Sequence, residues 1–381
     1  MSLGRMPVVL PDTVEETVRE VFGAQGQQWI GELPELVMGL AQRWGLADFS
    51  APFHGGTHAY VARVRRGDGS GAVLKVPMVD EENVAEATAL HLYAGYGAVR
   101  LYEYAADSGA MLLEWARPGT ELLTQPGFPS LEGLPEHADK VASAGALYRR
   151  LRRPVPEAPP GFPPLPLATG IPLALGARLR DPEPELAALL SPALRDRAES
   201  WCAALASTDG PALLVNRDTH LGNIVAAERE PWLLIDPKPC LGEAAFDAGF
   251  LLMIQTQVQP TREHADTVVA ATAAALDVDP ERARGWALVR AVEEMTWAIE
   301  DEDPEMLALH TAVAYALGGV TAHAEPSHTA LVAGKSTVRA ICGGSAWPTA
   351  GAARPAGSSR WDSRARPPGA RPRPGCAGGD R

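Results

Sequence analysis

Asp218 is followed five positions later by Asn223, and a second acid, Asp236, ends the apolar run Pro231-Trp232-Leu233-Leu234-Ile235. These residue types in this order suit phosphoryl transfer. A carboxylate such as Asp218 can orient a substrate hydroxyl and accept its proton, while an amide oxygen and a second carboxylate can hold Mg²⁺ on the phosphates of ATP. Mg²⁺ takes hard oxygen ligands, and Asn223 and Asp236 supply them. An Asp and an Asn five apart are common by chance, so the neighbours carry weight. Leu213-Leu214-Val215 leads into the loop, Ile224-Val225-Ala226 leaves it, and Glu228-Arg229-Glu230 suits a hairpin turn. A hairpin sets its ends side by side, so Asn223 and Asp236 can meet at one ion. The alternative is a surface turn with solvated polar residues.

Partner residues stand earlier in the chain. Lys75 ends the apolar run Ala72-Val73-Leu74, and Glu86 follows eleven residues later on an expected helix. A strand lysine held by a helical glutamate is how kinases aim an ammonium at the α- and β-phosphates. Glu81 and Glu82 are rival partners, but the first helical turn already favours carboxylates through the macrodipole. Gly55-Gly56-Thr57, expected between strands at about 49–54 and 58–65, can lay backbone N–H groups on phosphates, or can simply be a turn. Met111-Leu112-Leu113-Glu114-Trp115-Ala116 reads as a buried strand running into a linker, where backbone groups near Glu114 and Ala116 are placed to bond adenine. His220 has two readings, a phosphate or substrate contact and a structural role. Glu293 and Glu294, with Glu300, Asp301, Glu302 and Asp303, either receive guanidinium or amino groups or form a solvated helix face. Trp286 and Trp297 read as core.

The elements that must position these groups are legible in outline. Thr13 and Glu16 have capping-box spacing and open an amphipathic helix through Phe22; Leu33, Leu36, Val37, Leu40 and Trp44 form a second. Tyr60, Ala62 and Val64 alternate with their neighbours, Gly67-Asp68-Gly69 turns, and 72–76 returns. A helix is expected at about 80–94, then strands near 98–105 and 109–116. From 130 to 320 the pattern is mainly helical around the hairpin at 213–237, with a Pro-rich loop at 154–166. Beyond about 320 the Gly, Ala, Pro and Arg content predicts a disordered tail.

A length of 381 residues suggests two domains or lobes. No run reaches the roughly 18 apolar residues of a membrane span, and the N-terminus does not read as a signal peptide. Cys202, Cys240, Cys342 and Cys376 lack metal-ligand spacing, which points to reduced thiols in a cytoplasm. The net charge is −13, yet nine Lys/Arg against three Asp/Glu follow residue 320. The acidic body disfavours nucleic acid and favours a cationic small molecule. The expected partners are ATP and a cationic or polar small-molecule acceptor, with no nucleic acid and no membrane, on a monomer.

At this point the residues resemble the aminoglycoside and hydroxyurea phosphotransferase family, most closely its streptomycin 6-kinase branch. The resemblance rests on Asn216-Arg217-Asp218-Thr219-His220-Leu221-Gly222-Asn223 and on Ala226-Ala227-Glu228-Arg229-Glu230-Pro231-Trp232-Leu233-Leu234-Ile235-Asp236-Pro237. Gly97-Ala98-Val99-Arg100-Leu101, Gly285-Trp286-Ala287-Leu288 and Trp297-Ala298-Ile299-Glu300-Asp301 are also similar, and the likeness covers roughly 10–320. It implies an α+β, two-lobed protein-kinase-like (aminoglycoside phosphotransferase) fold, with a small β-rich N-lobe over 1–116, a mainly helical C-lobe over 117–320 and the tail at 321–381. It also implies Asp218 as catalytic base, Asn223 and Asp236 as Mg²⁺ ligands, ATP in the cleft, and inactivation of an antibiotic by phosphorylation of a hydroxyl. Hydroxyurea, a basic peptide antibiotic or a metabolite are the alternative acceptors, and a non-catalytic nucleotide-binding protein is the rival class. Two positions depart from the family pattern. Asn216 stands where the family has His, and Gly242-Glu243-Ala244-Ala245-Phe246-Asp247 stands where it has Gly-Asp-Pro-x-x-Asp, leaving Asp247 to brace the loop.

Overall fold

The computed structural model describes residues 8–54, 57–124, 134–155, 158–207 and 212–320. The chain opens with α1 (Asp12–Trp44), which breaks at Gly23, where φ is 53° and ψ −124°. The two expected amphipathic helices are therefore the two arms of one kinked element. The capping box of Thr13 and Glu16 does not form. Pro11 takes the N-cap position at φ −57° and starts the helix ahead of Thr13, with no side-chain cap.

A four-stranded antiparallel sheet follows, in the order β1-β2-β4-β3. Its strands are β1 (Ala59–Arg65), β2 (Gly71–Pro77), β3 (Leu101–Ala105) and β4 (Ala110–Glu114), with α2 (Glu86–Tyr93) between β2 and β3. The β1–β2 hairpin turns where Gly69 has φ +86° and Asp68 Oδ1 accepts from the Ser70 N–H and Oγ at 2.9 and 2.6 Å. Strand periodicity sends alternate side chains to opposite faces. Ala62, Val64, Ala72, Leu74, Val76 and Leu112 pack with Val18, Leu33, Val37 and Leu40 of α1. Val61, Val73, Met111 and Leu113 join the other core, with Ala87 and Leu90 of α2 and the helical part of the molecule. Lys75 is two residues from Val73 and pairs in register with Val61 and Met111, so it shares that second face.

Two expected elements are shorter than the sequence suggests. Residues 49–54 form no strand: the Ser50 N–H donates to Arg63 O and the Phe53 N–H to Val61 O. Three residues on one side thus oppose two on the other, and the slip prevents a regular ladder. The helix expected from about 80 begins only at Glu86. Asp80 Oδ1 accepts from the N–H groups of Glu82 and Asn83, both at 2.9 Å, and Asn83 Oδ1 accepts from the Asp80 N–H at 3.1 Å. Side chains that capture backbone donors in this way hold 80–85 as turns. Glu81 and Glu82 therefore precede the helix.

The remaining elements are β5 (Pro118–Glu121), α3 (Leu134–Leu151), α4 (Gly170–Arg180), α5 (Pro184–Leu189), α6 (Pro192–Leu205), β6 (Leu213–Asn216), β7 (Ile224–Ala227), β8 (Trp232–Leu234), β9 (Pro239–Gly242), α7 (Phe246–Gln257), α8 (Arg262–Leu276), α9 (Pro280–Glu300) and α10 (Pro304–Gly318). The strand–loop–hairpin reading of 213–237 holds in β6, β7 and β8. The sequence did not suggest β5 and β9. They complete a three-stranded sheet, β5-β7-β8, and a β6–β9 pair. α7 is apolar almost all round and lies in the core with Val289, Val292 and Met295 of α9. Ser191, Thr261, Asp279 and Asp303 cap α6, α8, α9 and α10 through their side chains, each closing an otherwise open N–H. The small sheet joins the helical part through 95–99. There the Val99 N–H donates to Leu234 O at 3.0 Å and the Leu234 N–H to Gly97 O at 2.9 Å.

Among the described residues no helix is long and apolar enough to cross a membrane, and Cys202 and Cys240 are buried and unbridged. The tail at 321–381, and Gly55 and Gly56, lie outside the described residues.

Candidate active site

Lys75 reaches from β2 into a buried cluster. Its Nζ lies 2.8 and 2.7 Å from the two carboxylate oxygens of Glu86 and 2.7 Å from Asp236 Oδ1. The side chains of Lys75, Glu86 and Asp236 are 7%, 1% and 7% exposed, so little water screens them. Burial opposes the ammonium, but the charges of Asp236 and Glu86 outweigh it and raise the Lys75 pKa. Burial also opposes the charge on Asp236, yet Lys238 and Lys75 hold that carboxyl far below the usual carboxylate range. On Glu86 burial wins over Lys75 and pushes the carboxyl up to about 7. The selection of Glu86 over Glu81 and Glu82 agrees with this geometry.

Asp218 stands on the loop after β6, with its side chain 20% exposed. Asn223 Nδ2 donates to Asp218 Oδ2 at 3.1 Å, and the Ile235 N–H donates to the Asn223 carbonyl at 2.8 Å. The hairpin thus brings Asn223 beside the chain that carries Asp236. Asn223 Oδ1 is buried without a hydrogen-bond partner. An orphaned amide oxygen costs about 1–3 kcal/mol, and a hard cation shared with the Asp236 carboxylate would satisfy it. The donor set therefore fits Mg²⁺ completed by phosphate oxygens. Among the described residues no cluster of three or more His, Cys, Asp or Glu offers an all-protein metal site.

Asn216 ties the loop together. Its N–H donates to Asp247 Oδ1 at 2.8 Å, its Nδ2 donates to the Asp218 carbonyl at 3.0 Å, and its Oδ1 accepts from the Lys238 N–H at 2.7 Å. Arg152 holds the other Asp247 oxygen at 2.6 Å. The residue that departs from the family His is fully engaged, and Asp247 braces the loop. His220 Nδ1 accepts from the Gly222 N–H at 3.1 Å, while its Nε2 lies 3.6 Å from Asp218 Oδ2. Its ring is buried and shapes the turn.

Other expected residues lie further from this cluster. Glu243 accepts from Arg282 and, at 2.6 Å, from Trp286 Nε1, fastening α9 to the segment after β9. Glu114 uses its side chain on Arg229 and its N–H on Arg100 O. Ala116 is buried just beyond β4. Thr57 Oγ1 lies 2.8 Å from His58 Nδ1, and His58 Nε2 is 3.2 Å from Asp80. Glu293 lies 2.9 Å from Arg217 and 2.8 Å from Arg290, and Glu294 lies 2.9 Å from Arg290. An incoming guanidinium would have to displace these arginines. Trp286 is buried, whereas Trp297 is half-buried beneath Arg290, whose guanidinium carbon lies 4.5 Å from the ring centre.

Sequence reading passed over Lys238, Arg152, Arg217 and Arg290. For Lys238 a signal existed: a charged residue between Pro237 and Pro239, two positions after a metal-type carboxylate. Arg290 also had one, since Glu293 and Glu294 follow it at i+3 and i+4 helical spacing; Arg152 and Arg217 gave none, because their partners are distant in the chain.

A small antiparallel sheet whose lysine is held by a glutamate on the adjoining helix, joined to a helical body carrying the Asp218 loop, is the architecture of kinase-like phosphotransferases. Two solved structures share the fold. Aminoglycoside phosphotransferase APH(4)-Ia is 13% identical with a TM-score of 0.52 over 74% of this chain and 97% of that one. Choline kinase LicA from Streptococcus pneumoniae is 10% identical with a TM-score of 0.51 over 76% and 99%. Within that class the sequence is more specific. Residues 43–302 match the family model for aminoglycoside/hydroxyurea antibiotic resistance kinases, and the chain belongs to that family of kinase-type enzymes. It is 32% identical to streptomycin 6-kinase of Streptomyces glaucescens over 84% of this chain and 100% of that protein. It is 34% identical to hydroxyurea phosphotransferase of Kitasatospora aureofaciens over 82% and 86%.

Proposed function

We propose that the protein transfers the γ-phosphoryl group of ATP to a hydroxyl of a small antibiotic, with a streptomycin-type aminoglycoside as first acceptor, and so inactivates it. The observation that carries this reading is that Asp236 meets the Lys75–Glu86 pair while Asn223, bonded through its backbone to Ile235 beside Asp236, holds Asp218. Lys75, held straight by Glu86, takes the α- and β-phosphates, assisted by backbone N–H groups of 55–57. Asn223 Oδ1 and Asp236 would hold Mg²⁺, which when bound draws negative charge off the phosphate oxygens. Asp218 orients the acceptor hydroxyl and takes its proton. As the acceptor O–P bond forms, the bond from phosphorus to the β,γ-bridging oxygen breaks, and its electron pair leaves with ADP. Positioning and charge neutralisation carry the rate. Segments 1–116 and 117–320 serve as the nucleotide and acceptor sides, on a monomer working in the cytoplasm.

Hydroxyurea is the second reading. It is favoured by the internal arginines on Glu293 and Glu294, which leave less acidic charge to receive a polycation. A panel of streptomycin, hydroxyurea and a basic peptide antibiotic, assayed for Mg-dependent transfer from ATP, separates the two. In Asp218→Ala turnover should fall by about 10²–10⁴-fold while ATP binding persists. Full turnover in that variant would remove Asp218 from the chemistry.

A further inference from the structure

Asp236 sits beside two ammonium groups, and the proposed chemistry uses only one. Lys75 lies 2.7 Å from Asp236 Oδ1, and Lys238 Nζ lies 3.5 Å from the same oxygen with its side chain 13% exposed. Burial opposes the Lys238 ammonium, but the neighbouring carboxylates, Asp236 first, outweigh it and raise its pKa, so a second charged lysine stands at this carboxylate. The backbone of Lys238 is also fixed on both sides. Its N–H donates to Asn216 Oδ1 at 2.7 Å, and its carbonyl accepts from the Arg217 N–H at 2.8 Å. Both partners immediately precede Asp218. Lys238 is thus tied to the metal-type carboxylate through its side chain and to the hydroxyl-facing loop through its backbone. Its ammonium feels Asp218 as well as Asp236, Glu82 and Glu86. The transferred phosphoryl must cross between those two ends.

We propose that Lys238 donates to the γ-phosphoryl oxygens of ATP during transfer, as a second phosphate-contacting lysine distinct from Lys75. The contact follows the phosphoryl as the acceptor O–P bond forms and the bond to the departing ADP oxygen breaks, while the hydroxyl proton goes to Asp218. Fixed donors aimed at developing charge act most strongly where water is excluded. Lys75 serves the phosphates that stay in ADP; Lys238 serves the γ-phosphoryl that is transferred.

This inference rests on the kinase reading, and its test needs no acceptor. Mg-ATP and Mg-ADP affinities are measured by calorimetry for the wild type and Lys238→Met, with thermal melting to establish folding. ATP affinity should fall at least about tenfold in the variant, and ADP affinity should stay within about threefold. Where an acceptor is known, kcat should fall about 10²-fold or more, with partial recovery in Lys238→Arg. If Lys238→Met does not fold, Lys238→Gln carries the same comparison. ATP and ADP affinities that fall together, or that both stay unchanged, would overturn the proposal and leave Lys238 a counterion of Asp236. A wild type that binds neither nucleotide overturns the kinase reading itself, and this inference with it. Transfer to none of the acceptors leaves the nucleotide comparison readable.

Discussion

Glu86 is buried, and both of its carboxylate oxygens accept from Lys75. Removing one partner of a buried ion pair leaves the other charge uncompensated, at a cost of about 3–5 kcal/mol. In Glu86→Gln the amide keeps the shape and one hydrogen bond, and Asp236 still neutralises Lys75. The expected result is a stability loss toward the low end of that range and a rise of about tenfold in KM for ATP, with a smaller change in kcat. Melting temperature and steady-state kinetics check both. An unchanged KM would detach the pair from nucleotide binding. The pair was legible in the sequence because a strand lysine and a helical glutamate are needed together, and their spacing survives in the chain. Lys238 was not singled out, since its meaning comes from Asn216 and Arg217 across the β6–β9 pairing. The acidic pair Glu293–Glu294 was noticed, but its arginines were not: Arg290 stood at helical spacing and was passed over, whereas Arg217 reaches Glu293 from 76 residues away and leaves no mark in a charge run.

At the level of elements, period and turn chemistry revealed β1, β2, β4 and the 213–237 hairpin, while β5 and β9 escaped. Those are four-residue strands containing proline, with too few positions for a period and a residue that ordinarily argues against a strand. Helix–helix contacts were equally hidden. Gly145 of α3 sits so close to α8 that a Cβ there would lie 2.4 Å from the Ala275 carbonyl oxygen and 2.7 Å from its carbon. The obstacle is backbone, which cannot rotate away as a side chain would. Gly145→Ala should therefore cost about 1–3 kcal/mol, despite the better helix propensity of alanine. Urea unfolding would read this as a lower midpoint at unchanged slope. A midpoint that stays or rises would show that α3 and α8 can separate freely.

Across the whole molecule, the proposed reaction requires the small sheet and the helical body to hold one geometry, so that Lys75 and Asp218 serve the same phosphate chain, and the turn between β7 and β8 ties the two parts together. Arg229 on that turn donates Nε and Nη2 to the two Glu114 oxygens, both at 2.9 Å, and Nη2 to the Ala98 carbonyl at 2.9 Å. Its neighbour Glu230 pairs with Arg150 of α3 and accepts from the Gly97 N–H at 3.4 Å. The Glu-Arg-Glu run, legible in the sequence only as a turn, thus clamps the end of β4 and the approach to β3 onto the helical body. Arg229 and Glu114 are 22% and 13% exposed, so the contact is only partly screened. Losing it should cost about 2–3 kcal/mol, because Glu114 keeps only the Arg100 N–H as donor and the Ala98 carbonyl loses Arg229. A lysine supplies charge but cannot make the bidentate contact. Arg229→Lys should therefore recover less than half of the stability that Arg229→Ala loses. Since neither change touches Asp218 or Asn223, kcat at saturating ATP should change less than KM for ATP. Melting curves and nucleotide titrations on both variants test this. A loss below about 0.5 kcal/mol, the range of ordinary surface substitutions, would mean that the backbone bridge at Gly97, Val99 and Leu234 holds the two parts together without the arginine.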